Sequence, residues 1–97
     1  MGMNATINGQ EYKFSGLIAH AYVKLYGMDV PTVIELDREQ QISLIFVLAS
    51  LIETTPLINN TGGINMQSVI SRASDCHKLI ALMEHVNDLK NGPLVFA

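Results

Sequence analysis

The first fifteen residues alternate. Met3, Ala5, Ile7, Tyr12 and Phe14 fall on one side, and Asn4, Thr6, Glu11 and Lys13 on the other, around a central Asn8-Gly9. A period of two is the mark of a half-buried strand. Asn-Gly supplies the two positive-φ residues that a type I′ turn demands. The pattern predicts a β-hairpin over 3–14 in which Ile7 faces Gln10, Ala5 faces Tyr12 and Met3 faces Phe14. Two strands alone are marginal in water, so the apolar face must rest on helices or on a partner.

Beyond Ser15 the period lengthens. Leu17, Ile18, Ala21, Tyr22 and Leu25 share one helical face while His20 and Lys24 point away. This predicts a helix over about 16–26, with Ser15 as N-cap and Gly27 as the left-handed residue that ends it. The next apolar stretch, Thr32-Val33-Ile34-Glu35-Leu36, is too short for periodicity to choose between a helical turn and a strand. Asp37 followed by Gln40 has the form of a capping box and predicts a second helix over about 38–53. Nine of the eleven residues from Ile42 to Ile52 are apolar, interrupted only by Ser43 and Ser50. A helix apolar nearly all round is either central to its domain or half of an oligomer interface. With so few elements to surround it, an interface on one of its sides is expected.

Asn59-Asn60-Thr61-Gly62-Gly63 is a dense run of turn formers. Asn65 then caps a third helix over about 66–90, with Gly92-Pro93 as its stop. Met66, Val69, Ala73, Cys76, Ile80 and Met83 recur at alternating spacings of three and four, a seam repeating every seven residues. A second stripe of Leu79, Leu82, Val86 and Leu89 joins it in the C-terminal half. One rod over 66–90 would be roughly 37 Å long at ~1.5 Å per residue, so a break near Ser74-Asp75 is the alternative. The chain closes on an apolar tail, Leu94-Val95-Phe96-Ala97, able to dock on the core or reach into a neighbour. The expected fold class is mainly α (α+β), an N-terminal β-hairpin packed on three to four helices in one domain over 1–97.

Composition changes this picture in two ways. Charged residues make up 15% of the 97, below the usual quarter of about 25%, while the apolar share of 48% is ordinary. A thin coat of charge over a normal core implies that part of the outer surface is apolar and meets a partner, a weakly charged monomer being the other reading. The net charge is −3, and Lys13, Lys24, Arg38, Arg72, Lys78 and Lys90 are too dispersed to form the basic stripe nucleic acid requires. Cys76 is the only cysteine, so no internal disulfide forms and a reducing cytoplasm is the expected home. No signal-peptide pattern opens the chain. The longest apolar run, Leu44 to Ala49, falls far short of the ~20 residues of a membrane span. Met1-Gly2 with Thr6 fits a myristoylation pattern, but Met3 reads as a start, which leaves Met1-Gly2 as an added pair.

The chemistry-bearing residues do not assemble into a reactive site. His77 and His85 are eight apart rather than the four that a helical metal pair requires. Cys76 and His77 are adjacent, and neighbours on a helix do not face each other, so they make no nucleophile–base pair. Asp37 and Glu39 are explained by the helix start, and Gly62-Gly63 lacks the lysine and strand of a phosphate loop. Neither an enzyme nor a cofactor site is expected. Two binding surfaces remain. The first is the seam Met66, Val69, Ala73, Cys76, Ile80 and Met83, to be weighed against simple packing on the second helix. The second is the hairpin edge with Leu94 and Phe96 of the tail, since strand edges and free apolar ends recruit partners by strand addition.

The opening Ile7-Asn8-Gly9-Gln10-Glu11-Tyr12-Lys13-Phe14, with Gly16 close behind, resembles the start of phage tail assembly chaperones. The likeness covers about fifteen residues in detail and the remainder in size and helical pattern. Gln10 stands where that family usually has a lysine, and the C-terminus is less acidic than the family's. The resemblance implies a protein that coats the tape-measure protein in the bacterial host cytoplasm and recruits tail-tube subunits. It also implies self-association or the holding of a long helical client. Two other functions suit the residues: a small phage-encoded inhibitor that blocks a host protein such as a defence complex, and an oligomeric sponge for a nucleotide signal. The sponge needs converging basic groups, which the scatter of lysines and arginines disfavours.

Overall fold

The computed structural model describes residues 3–14 and 16–97. β1 (Asn4–Ile7) and β2 (Gln10–Lys13) form the N-terminal hairpin, with Asn8 at φ 52° and Gly9 at φ 79° in the turn. Its register is the one the two-residue loop dictates: Ile7 opposite Gln10, Ala5 opposite Tyr12. The Phe14 N–H donates to the Met3 carbonyl at 2.9 Å and extends the ladder by one pair. α1 (Gly16–Tyr26) follows, and Gly27 at φ 66° closes it by donating its N–H to the Val23 carbonyl. The expected N-cap, Ser15, lies outside the described residues.

α2 (Arg38–Glu53) opens with the capping box expected from Asp37 and Gln40. The Asp37 Oδ1 accepts the Gln40 N–H at 2.8 Å, and the Gln40 Oε1 accepts the Asp37 N–H at 2.9 Å. Two orphan donors of the first turn are thereby satisfied. α3 (Met66–Asn87) is a single helix of 22 residues, capped by Asn65, with no break at Ser74-Asp75. It ends before residue 90 because Asp88 folds the chain into a turn, accepting the Lys90 N–H on its side chain and the Asn91 N–H on its backbone. Leu89, expected in a buried stripe, sits on that turn and is exposed.

The ambiguous segment and the apolar tail resolve each other. β3 (Ile34–Leu36) and β4 (Leu94–Phe96) pair antiparallel, with Ile34 opposite Phe96 and Leu36 opposite Leu94. Ala97, just past β4, exchanges both backbone hydrogen bonds with Asn4, at 2.8 and 2.9 Å. This mutual pair sets the two two-stranded ladders side by side at one end, in the spatial order β2-β1-β4-β3, with their buried faces toward the helices. The tail is therefore not a free end: Ala97 occupies Asn4 on the β1 side of the hairpin, while the β2 side has no strand partner other than β1 among the described residues.

The core lies between sheet and helices. Met3, Ala5, Ile7, Phe14, Ile34, Leu36, Leu94 and Phe96 supply the sheet side. Ile18, Ala21, Leu44, Leu48, Ala81 and Leu82 supply the helix side. Phe14 and Phe96 meet edge to face at a centroid distance of 5.2 Å, a favoured aromatic geometry. The opposite face of the sheet, with Thr6, Glu11, Lys13, Glu35 and Val95, is exposed. α2 is the middle helix, packed against α1 on one flank and α3 on the other.

Candidate interaction surface

One buried polar junction sets the helices against the sheet. Gln41, on the first turn of α2, donates from Nε2 to the Leu36 carbonyl at 3.0 Å and the Gly92 carbonyl at 3.3 Å. His85, near the end of α3, reaches the same Gly92 oxygen through Nε2 at 3.4 Å. That contact requires the proton on Nε2. Both side chains are buried, so a carbonyl just ahead of β4 is satisfied from two helices at once. Gln41 and His85 stand level here and the helices run in opposite directions. Five residues along each, about 7.5 Å at ~1.5 Å per residue, Phe46 of α2 comes level with Ile80 of α3.

These two side chains belong to an apolar surface that the core does not use. Phe46 is 73% exposed and Ile80 53% exposed, and Ile42 and Met83, about one helical turn from each, are also exposed. No residue from Met66 to Ile80 is buried; α3 enters the core only at Ala81, Leu82 and His85. Its N-terminal half runs out past the sheet along α2, and the protein is accordingly elongated, 47 × 28 × 22 Å. Along this half, Met66 and Ile70 are exposed, and Ile58 and Ile64, joined by a β-bridge in the preceding loop, are exposed too. Asn59 folds that loop, its Oδ1 accepting the Thr61 and Gly63 N–H groups and the Thr61 hydroxyl. A shallow groove of about 320 Å³ lies at the C-terminal end of the surface, lined by Ile80, Met83, Glu84 and Asn87.

The eight residues expected to bind a partner divide into three groups. Met66, Ala73, Ile80 and Met83 are exposed on one side of α3, as is Ile70, with His77, which packs against Tyr12, between Ala73 and Ile80. Val69 and Cys76 share that side of the helix by their period but are half-buried. Leu94 and Phe96 are corrected to core residues: their strand pairs with β3, Ala97 just beyond it bonds Asn4 of β1, and both side chains are buried in the core. The sequence reading missed Phe46, Ile42 and Ile70. The signal for the first two was present, since a helix apolar nearly all round has more apolar faces than its neighbours can cover.

Among the described residues, no group of three or more His, Cys, Asp or Glu side chains converges in a metal-binding arrangement. His77 instead packs against Tyr12 of β2, the rings tilted by 48° at a centroid distance of 5.9 Å, where the hairpin meets α3. Nor is any described helix long and apolar enough to cross a membrane. A second groove, of about 340 Å³, lies at the other end of the helical layer, between the C-terminus of α1 and β3. Tyr22 and Tyr26 pack there at a centroid distance of 4.7 Å. The Tyr26 phenol is held above its ordinary pKa of 10.0 by burial first, then by Tyr22 and Asp37, against an opposing hydrogen bond with Gln40.

No protein-family model, curated protein or solved structure matches the chain.

Proposed function

We propose that this chain is a non-catalytic protein-binding module of the tail assembly chaperone type, which holds an apolar helical client along α3 and the outer side of α2. The observation that carries the reading is the exposed row Met66, Ile70, Ala73, Ile80 and Met83 on a helix whose core contacts are complete without it. Spacings of three and four are what a client helix reads when it lies along another helix. Phe46, level with Ile80 on the neighbouring helix, widens the row into a surface rather than a single ridge. Aromatic and methionine side chains are the types that anchor such contacts, and charged groups the ones depleted from their centres. The hairpin that resembles the chaperones contributes by packing Tyr12 against His77, which braces α3 where it leaves the sheet.

Capture from the native lysate with the wild-type chain and with Ile80→Asp tests this. Ile80→Asp should fold normally, because the side chain is more exposed than buried, and should lose the client. Recovery of a long helical tail protein by the wild type alone supports the chaperone reading. Recovery of one host enzyme or defence complex replaces it with an inhibitor. An unfolded Ile80→Asp chain places the row in the core and removes the surface altogether.

A further inference from the structure

We propose that the open edge of β3, with the tyrosine-lined groove beside it, is a second docking site that takes a basic, extended segment of a partner as an added strand. The phase of the hydrogen-bond ladder supplies the first argument. Ala97 turns both its N–H and its C=O toward Asn4 of β1. By alternation Leu94 and Phe96 turn theirs toward β3, and Ile34 and Leu36 turn theirs back. Glu35, between them, therefore presents its N–H and C=O to the other side, where no strand lies among the described residues. An unpaired edge of this kind is the template for strand addition.

The groove supplies the second argument. Its 340 Å³ run along this edge between Tyr22, Tyr26, Met28, Pro31, Val33 and Gln40. A strand laid on β3 directs alternate side chains to the helix side of the sheet, where the groove would receive them. Charge supplies the third. Segment 29–39 holds four acids (Asp29, Glu35, Asp37, Glu39) and one base (Arg38), a balance of −3 that equals the charge of the whole protein, the other five acids being offset by five bases. All five of these side chains are exposed. A second copy is the wrong occupant, because two β3 edges paired about a two-fold centred on the strand bring Glu35 against its own mate. A strand carrying Lys or Arg opposite Glu35 turns that repulsion into attraction.

The probe is a blocked peptide of alternating Lys and Val, with a Glu/Val peptide of equal length as control. The Lys/Val peptide should slow exchange of the Glu35 amide and shift the ring signals of Tyr22 and Tyr26. Glu35→Lys should weaken it roughly tenfold, and added salt should weaken it as well. Ile80→Asp should leave it unchanged, which separates this edge from the α3 surface. The proposal is overturned if the Glu35 amide gains no protection, if both peptides bind alike, or if Glu35→Lys has no effect. A homodimer in light scattering that maps to the Glu35 amide would overturn it in favour of a second copy.

Discussion

Phe96→Ala is the sharpest probe of how this chain is held together. Phe96 is 0% exposed, one residue before Ala97, and its ring stands edge-on to Phe14 of the hairpin. Truncation removes most of an aromatic side chain from a packed site and leaves a cavity, at a cost of about 3–5 kcal/mol. A domain of this size has a total stability of about 5–15 kcal/mol. The variant should therefore fold only marginally. With about 4–8 °C lost per kcal/mol at this chain length, the midpoint should drop by about 12–40 °C. The control is one residue away: Val95 is 44% exposed on the other face of the same strand, and Val95→Ala should cost less than ~1 kcal/mol. Urea titration followed by far-ultraviolet circular dichroism reads both variants, with the change taken from the midpoint at constant slope. Equal, small effects at the two positions would show that the tail does not belong to the core, and the β2-β1-β4-β3 order would fall with it.

Gln41→Leu removes a donor shared by the Leu36 and Gly92 carbonyls; because Gly92 keeps His85 and Leu36 keeps its place in the β3–β4 ladder, it should cost about 0.5–1.5 kcal/mol, as measured by denaturant titration. Asp37→Ala deletes the α2 cap and should cost about 0.5–2 kcal/mol, with Asp37→Ser recovering most of it in the same measurement. The raised Tyr26 pKa means that the fold favours the neutral phenol, so its contribution is complete below pH 10.0 and is lost as pH rises through the higher folded value. Phenolate absorbance should show Tyr26 titrating above the free residue, and Asp37→Asn should bring it closer to normal by removing a nearby negative charge.

What the sequence determined alone is what depends on neighbours a few residues away. Asn8-Gly9 set the hairpin and its register because only residues that tolerate positive φ close a two-residue loop there. Asp37 with Gln40, Asn65, and Gly27 marked helix ends because capping is a matter of one turn of backbone. The three helices and the hairpin were legible for this reason. The tertiary structure decided everything that rests on residues distant along the chain. Ile34-Glu35-Leu36 has no preference of its own strong enough to choose a state; it is a strand because Leu94-Val95-Phe96 lies beside it. The tail in turn is core rather than a recruiting end because Ala97 finds Asn4 and Phe96 finds Phe14. The same holds for the candidate surface. Periodicity drew the seam on α3, but which of its sides meets α2 and which meets water depends on where the Gln41–Gly92–His85 junction fixes the two helices. A helical period tells which residues share a face, and only packing tells what that face touches.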